Sequence, residues 1–285
     1  MALNDQQREQ IRAAARQTRI DAIRMTNAAS SGHPGGPLGM ADFMATLFLE
    51  HLNLTPENRR APDRDRFVLG NGHTCAGYYS LLSQKGLVDP EELLRFRRLG
   101  SPLQGHPHRN LDLGIDFSTG SLGNSLSVAL GMALAARMNG WPARVYSASS
   151  DGESQEGQIW EAATAAAHYG AANLTLLVDF NNIQIDGHMR DVMDVRDLRV
   201  KYEAFGWHAV DVDGHDVDAI DAALVAAREE TERPSALICH TVLGKGVSFM
   251  EDQPGWHGVA PDDEQARDAL TELGVEGGEL EAMLA

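Results

Sequence analysis

The chain has 285 residues, 43% of them apolar and 23% charged, enough for a sizeable core in one large α/β domain or two small ones. Its 24 basic and 41 acidic residues give a net charge of −17, which argues against nucleic acid or an anionic membrane surface as a partner.

The cysteine count and the apolar pattern exclude further classes of protein. Two cysteines, Cys75 and Cys239, are too few for a disulfide framework or a cysteine-rich zinc site. Residues 1–12 are polar and contain no signal-peptide core. The longest uncharged stretch, residues 117–136, carries many hydroxyl and amide side chains, so we expect no membrane span and a cytoplasmic location.

The amino-terminal half is predicted to be mainly helical. An amphipathic pattern predicts a helix over Asn4–Ala28, and the glycine- and proline-rich segment Ser30–Gly39 is predicted to interrupt the helical pattern. A short strand-like run covers Phe67–Leu69. Further helices are predicted over Asp42–Glu50, Tyr78–Gln84, Pro90–Arg98 and Leu122–Met138.

Strand-like runs alternate with helices in the second half. The runs cover Arg144–Ser149, Asn173–Asp179, Trp207–Val212 and Ala236–Thr241, with a helix predicted over Glu156–His168. This alternation predicts an α/β fold with a mostly parallel sheet and helices on both faces. Residues 264–285 are predicted to be a loosely held helical tail. We therefore assign residues 1–262 to one domain and residues 263–285 to a tail of that domain.

Polar residues follow two of the predicted strands. Asp151 follows the first strand of the second half, and Asn181 follows the next one. A strand–helix–strand unit places both strand ends at one edge of a parallel sheet, where ligands of open α/β folds bind. Hard oxygen donors of this kind suit Mg²⁺ that is shared with substrate phosphates. The sequence therefore predicts a divided site for a magnesium-bound diphosphate.

Among the eleven histidines, several lie beside glycine or proline, and four of these are candidate site residues: His33, His73, His106 and His257. The tripeptide Gly-His-Pro occurs at residues 32–34 and again at 105–107. Because a following proline disfavours helix, we expect these rings on loops. Imidazole can exchange hydroxyl protons near neutral pH. A loop histidine is more often an ordinary surface residue, so this pattern alone leaves both interpretations open.

Together these blocks resemble the transketolase family. Residues 150–152 with Asn181 are similar to the thiamine diphosphate signature, a Gly-Asp-Gly followed about thirty residues later by Asn. Residues 156–163, residues 166–170 and the histidine blocks are similar to the amino-terminal half of transketolase, over roughly Arg19 to Pro261. The resemblance implies the thiamine diphosphate-binding fold, in the form of its diphosphate-binding domain.

The resemblance implies which residues hold the cofactor and its metal. Asp151 and Asn181 would bind Mg²⁺, or Ca²⁺ in its place, through their side chains, and Ile183 through its main-chain oxygen. Gly152 and His73 would contact the diphosphate, and Asn181 would lie beside it.

The same resemblance implies roles at the other end of the cofactor. Gly120 and Leu122 would meet the aminopyrimidine ring through main-chain groups. His33, His106 and His257 would surround the reacting carbon and act on the hydroxyl protons of the sugar.

The implied reaction is transfer of a two-carbon ketol unit from a ketose phosphate to an aldose phosphate. Transketolases are more than twice as long, and their second domain supplies the glutamate that protonates the pyrimidine ring. No part of this chain resembles that domain. We therefore expect the amino-terminal subunit of a split transketolase, inactive alone and active in an α2β2 heterotetramer with a carboxy-terminal, pyrimidine-binding subunit. Glu156 and Glu161 match residues that lie at the family's subunit interface.

Three departures from the family pattern bear on the substrate. Ser150 replaces the first glycine of the signature and is expected to crowd the turn. Asn124 and Ser125 replace the usual Gln-Gly, and Leu243 stands where some relatives have a lysine near the diphosphate. Two alternatives stay open. One is a split thiamine diphosphate enzyme of specialised metabolism that takes its two-carbon unit from pyruvate or a modified sugar, and the other is a non-catalytic, partner-binding subunit.

Overall fold

Five parallel strands form the central sheet of the protein in a computed structural model, which describes residues 3–284. The strands are β1 (Arg66–Leu69), β2 (Val145–Ser150), β3 (Leu174–Phe180), β6 (His208–Asp213) and β7 (Ser235–His240), and a small antiparallel hairpin contains β4 (Ile183–Gln184) and β5 (Gly187–His188). The strand order is β1-β2-β3-β7-β6. Ser150 pairs with Asp179, so β2 and β3 end side by side.

The helices surround this sheet. They are α1 (Asp5–Ala29), α2 (Gly35–Thr46), α3 (Cys75–Gln84), α4 (Pro90–Leu93), α5 (Asn124–Met138), α6 (Gly157–His168), α7 (Met189–Val192), α8 (Leu198–Ala204), α9 (Val217–Glu229), α10 (Asp263–Glu272) and α11 (Gly277–Leu284). None of them, within residues 3–284, is long and apolar enough to cross a bilayer.

Each face of the sheet has its own apolar core because side chains alternate along a strand. On one face, Tyr146 and Leu177 pack with α1, α2, α3, α9 and α10. On the other face, Val145 and Val178 pack with α5, α6 and α8. This arrangement confirms the predicted α/β fold with helices on both faces.

The start of α2 corrects one sequence prediction. Only the first part of the glycine-rich segment Ser30–Gly39 interrupts the helical pattern. Helix α2 begins within the segment, at Gly35, and continues into a π-helical turn, Leu47–His51. A Cβ on Gly39 would lie 2.8 Å from the main-chain oxygen of Val242. Close contact with the segment after β7 thus stabilises a helix whose local propensity is low.

Two further predictions need correction. The helix predicted over Pro90–Arg98 ends at Leu93, because Arg97 has φ 60° and its N–H donates to the oxygen of Leu103. The carboxy-terminal tail is helical, but α10 is not loosely held. Its residues Ala269 and Leu270 are buried in the core that also contains α1.

Candidate active site

A cavity of about 430 Å³ lies at the carboxyl edge of the sheet. All the predicted site residues except Asp151 line it: His33, His73, His106, Gly120, Leu122, Gly152, Asn181, Ile183 and His257. Asp151 lies beneath the surface and is 1% exposed. Segments far apart in the sequence therefore meet at one edge of the sheet, where ligands of open α/β folds bind.

The turns after β2 and β3 are joined by the Asp151 carboxylate. Its Oδ1 accepts a hydrogen bond of 2.7 Å from the N–H of Gly152. Its Oδ2 accepts one of 2.6 Å from the N–H of Asn182, across the gap between the two strands. The structure thus brings together the two polar turns that are thirty residues apart in the sequence.

Asn181 is oriented by a buried acid beneath it. Its Nδ2 donates to Asp179 Oδ2 at 2.8 Å, and its Oδ1 accepts from the N–H of Ile183 at 2.9 Å. The hydroxyl of Thr241 donates to the other oxygen of Asp179. The amide oxygen of Asn181 keeps a second lone pair for a ligand.

The two buried acids form an electrostatic environment that suits a cation. Burial and the charge of Asp179 raise the pKa of Asp151 to about 7, and burial raises the pKa of Asp179 to about 6. No cluster of three or more His, Cys, Asp or Glu side chains between residues 3 and 284 could hold a metal alone. The donors here are instead a carboxylate, an amide oxygen and a main-chain oxygen. They fit a hard divalent ion that takes its remaining oxygens from a phosphate ligand and water.

The Gly152 turn leaves free space on the cavity side. Apart from its chain neighbours, a Cβ added to Gly152 would meet no atom closer than 4.0 Å, and the atoms at that distance belong to Gln184 and Ser150. Ser150 does not crowd this turn, contrary to expectation, because its hydroxyl accepts a hydrogen bond of 3.1 Å from the N–H of Glu153. The turn therefore leaves room for a phosphate group.

The four predicted histidines face the same cavity from separate loops. The ring centroids of His33 and His73 are 5.1 Å apart, those of His73 and His257 are 5.2 Å apart, and those of His33 and His257 are 6.0 Å apart. A Cβ on Gly120 would lie 3.1 Å from His106 Cδ2, which places that ring beside the Gly120 loop.

These rings are uncharged at neutral pH. Burial, with help from neighbouring imidazoles, lowers the pKa of His33 to about 4 and of His73 to about 3. Burial also lowers the pKa of His106 and His257. The buried Nδ1 atoms of His33 and His257 have no hydrogen-bond partner within the described chain. A neutral imidazole has one unprotonated ring nitrogen, and where that nitrogen faces the cavity it can accept a proton from a bound hydroxyl.

Comparison with known proteins identifies the family. The sequence model described as "Transketolase, thiamine diphosphate binding domain" matches residues 9–281. The chain belongs to the transketolase family. Among similar transketolases, the 6-deoxy-6-sulfo-D-fructose transketolase subunit SqwG of Clostridium sp. (strain MSTE9) is 39% identical over 86% of this chain and 90% of that protein.

Two further transketolases show how much of the family this chain covers. An apulose-4-phosphate transketolase subunit of Phocaeicola vulgatus is 36% identical over 86% of this chain and 87% of that protein. The solved transketolase from Leishmania mexicana superposes with a TM-score of 0.86 at 30% identity, over 96% of this chain and 44% of that one. The chain thus spans less than half of the solved transketolase and nearly all of each named subunit.

Sequence reasoning assigned no role to two buried acids of this cavity, Asp179 and Glu153. Glu153 lines the cavity, and its Oε1 accepts from the N–H of Gly123 at 2.8 Å and from the hydroxyl of Ser125 at 3.0 Å. Burial raises its pKa to about 7. Ser125, one of the departures from the transketolase pattern, is therefore the partner of Glu153. The two residues are 28 apart in the sequence, so no local pattern could have revealed the pair.

The low pKa of His33 leads to a pH-dependent stability. In the unfolded chain His33 takes up a proton near pH 6.5, whereas in the folded chain it stays neutral until about pH 4. The free energy of unfolding therefore decreases as the pH falls below 6.5. Between pH 7.5 and 5.0 we expect wild type to lose about 1 kcal/mol more unfolding free energy than His33→Gln, after allowance for solvent screening. Urea unfolding at both pH values measures this difference, with exposed His168→Gln as control. Equal losses for wild type and His33→Gln would contradict it.

Proposed function

We propose that this chain is the amino-terminal subunit of a thiamine diphosphate- and Mg²⁺-dependent transketolase. It would transfer a two-carbon ketol unit from a ketose phosphate to an aldose phosphate together with a separate pyrimidine-binding subunit. One observation supports this most strongly: the polar turns after β2 and β3 line the same cavity as four uncharged histidines.

The cofactor would be held mainly by the two polar turns. Asp151, Asn181 and the main-chain oxygen of Ile183 would bind the metal, and the open turn at Gly152 would receive the diphosphate with His73. When bound, the cofactor supplies the carbanion-stabilising chemistry. The free space at Gly152 and the oxygen donors beside it support this assignment.

The other cavity residues would bind the pyrimidine end and the sugar. Gly120 and Leu122 would meet the aminopyrimidine ring through main-chain groups. Each neutral ring among His33, His106 and His257 can accept a hydroxyl proton of the sugar at a ring nitrogen and return it later. The buried position of these rings keeps them in the basic form at neutral pH.

A partner subunit would complete the site. Apolar side chains beside the cavity are exposed in this chain, with Ile185 71% and Met193 61% exposed. Glu156 and Glu161, expected at the interface, are also exposed. The relatives named as subunits support the need for a separate partner chain. We propose that this partner is a carboxy-terminal transketolase subunit that supplies the glutamate, in an α2β2 assembly. The cytoplasmic location, and residues 1–262 as the diphosphate-binding domain with 263–285 as its tail, remain predictions.

A second candidate differs only in the donor. The relatives with 39% and 36% identity are named for 6-deoxy-6-sulfo-D-fructose and apulose-4-phosphate, which are not the common ketose phosphates. Asn124 and Ser125 depart from the family pattern next to the expected pyrimidine loop. The alternative is therefore a split transketolase that takes its two-carbon unit from a modified ketose.

Reconstitution with a candidate partner tests both proposals. The chain is co-expressed with a carboxy-terminal transketolase subunit encoded beside it. The complex is assayed with thiamine diphosphate, Mg²⁺ or Ca²⁺, xylulose 5-phosphate and ribose 5-phosphate. Activity that requires both chains and falls in His106→Ala supports the ketose phosphate reaction. Activity only with a sulfonated or branched ketose supports the second candidate. If no candidate complex binds the cofactor, both are wrong.

Gly152→Ala separates cofactor binding from folding. Apart from its chain neighbours, the new methyl group meets no protein atom closer than 4.0 Å, but it occupies the space proposed for the diphosphate. We expect the free energy of unfolding without cofactor to stay within about 0.5 kcal/mol of wild type or to rise. Isothermal titration of the two-chain complex should show thiamine diphosphate affinity weakened by about 10-fold or more, equivalent to about 1.4 kcal/mol.

Gly157→Ala is the matched control for this substitution. A Cβ there also meets no atom within 4 Å, but Gly157 does not line the cavity. Unchanged cofactor affinity in Gly152→Ala, or equal weakening in both variants, would show that the diphosphate lies elsewhere.

A further inference from the structure

Arg97 lies between the two Gly-His-Pro loops, residues 32–34 and 105–107. Its Nη1 donates a hydrogen bond of 2.8 Å to the hydroxyl of Ser31, which precedes the first loop. Its guanidinium also lies against the main chain of the second loop. A Cβ on Gly105 would be 2.7 Å from Arg97 Nε and 2.8 Å from its Cζ. One side chain therefore contacts both segments that carry His33 and His106.

The backbone conformation at Arg97 directs its side chain into the gap between the two Gly-His-Pro loops. Arg97 has φ 60°, a conformation that non-glycine residues seldom adopt, and its N–H donates to the oxygen of Leu103 at 2.9 Å. The preceding ring, Phe96, is buried against the first loop, where a Cβ on Gly32 would lie 3.3 Å from it. The segment after α4 is thus fixed against both loops by main-chain and apolar contacts.

The charge of Arg97 also acts on the two rings. Burial lowers the pKa of His33 and His106, and the nearby guanidinium lowers it further. The buried Nε of Arg97 has no hydrogen-bond partner in the part of the chain that is described. Leaving a buried donor unpaired costs about 1–3 kcal/mol. Stability alone does not explain such a side chain.

We infer that Arg97 is a positioning residue, which sets the spacing and orientation of His33 and His106 by contacting both Gly-His-Pro loops at once. The catalytic consequence rests on the proposed function, but the positioning is a property of the isolated chain. Lysine keeps the charge but lacks the planar fork that contacts two loops together.

NMR of the isolated chain tests the positioning without any assay of activity. In Arg97→Met, we expect the ring ¹H–¹³C signals of His33 and His106 to move together, while that of exposed His168 stays in place. Arg95→Met, which removes a nearby exposed arginine that pairs with Glu92, is the matched control and should move neither. Unmoved His33 and His106 signals in a folded Arg97→Met chain would overturn the inference. If Arg97→Met does not fold, Ser31→Ala must shift the His33 signal, and an unmoved signal overturns it.

Kinetics of the two-chain enzyme test the consequence for catalysis. Arg97→Met should lower kcat/KM for the ketose by about 100-fold, the effect of misplacing a catalytic group by about 1 Å. Thiamine diphosphate affinity should stay within about twofold, and Arg97→Lys should recover part of the activity.

A double-mutant cycle separates this role from a general loss of structure. Ser31→Ala should have a smaller effect in the same direction and add little to Arg97→Met, because both remove one contact. Additive effects, or a loss confined to cofactor affinity, would count against the inference. If wild type is inactive with every partner, the proposed function fails and the NMR result alone decides the positioning.

Discussion

Asp151→Ala is expected to lower the activity of the reconstituted two-chain enzyme by well over 100-fold. Losing an outer partner of a metal ligand already costs roughly 10–100-fold, and Asp151 is proposed as a direct ligand. Its carboxylate also ties the turn after β2 to the turn after β3 through Gly152 and Asn182. Both the metal and the alignment of the two turns are therefore affected by one substitution.

Thermal unfolding with and without ligand distinguishes loss of binding from loss of fold. A ligand that binds only the folded state raises its stability by about 2.7 kcal/mol at 100 times its dissociation constant. Wild type in its two-chain complex should show this increase with thiamine diphosphate and Mg²⁺, and Asp151→Ala should not. Asp191→Ala removes an exposed carboxylate of α7 that does not line the cavity, and is the control. A normal increase in Asp151→Ala would remove this residue from the proposed metal site.

Arg64→Met is expected to destabilise the chain by about 3–5 kcal/mol, the usual result of leaving a buried charge unpaired. The side chains of Arg64 and Asp116 are 1% and 4% exposed and form two hydrogen bonds of 2.9 and 2.8 Å. Arg64 also donates to the main-chain oxygen of Asp65. Without the guanidinium, the cation that the carboxylate of Asp116 keeps among residues 3–284 is the more distant Arg66, at 3.6 Å.

The Arg64–Asp116 pair also stabilises the segment that leads into the cavity, because Asp116 lies shortly before the Gly120 loop. We therefore expect Arg64→Met to weaken cofactor binding as well, which titration at a temperature where the variant is folded would measure. Urea unfolding measures the stability itself.

A second Arg–Asp pair provides the control. Arg60 and Asp112 form the same two-bond contact at 2.7 and 2.8 Å, but their side chains are 63% and 57% exposed. Arg60→Met should cost no more than about 1 kcal/mol. Similar losses of unfolding free energy in Arg64→Met and Arg60→Met would show that burial of the ion pair does not control the cost of removing the arginine.

The architecture of the sheet could be predicted from the sequence because its signal is local and repeated. Apolar runs of strand length alternate with helical stretches, and this pattern permits few arrangements other than a parallel sheet covered on both faces. The same topology explains why Asp151 and Asn181 could be placed side by side from their positions after consecutive strands.

Helix boundaries could not be predicted from the sequence where contacts with other segments override the local helix propensity. The glycines of α2 predict a break, but the segment after β7 packs against them and the helix begins at Gly35. The helix at Pro90 ends at Leu93 because Arg97 bonds to Leu103 in a left-handed conformation. Neither contact can be recognised from the local sequence pattern.

The α/β class and the two polar turns were accessible from the sequence, because each is a local pattern or follows from strand order. The local pattern singled out the four histidines, but only the resemblance to transketolase assigned them to a site. The three-dimensional structure was needed to show that the rings of His33, His73 and His257 lie within 5.1–6.0 Å of one another. It also paired Arg64 with Asp116 and Glu153 with Ser125, and it placed Arg97 between two loops. Such contacts join residues far apart in the chain, and they form only when packing of the two cores brings their segments together.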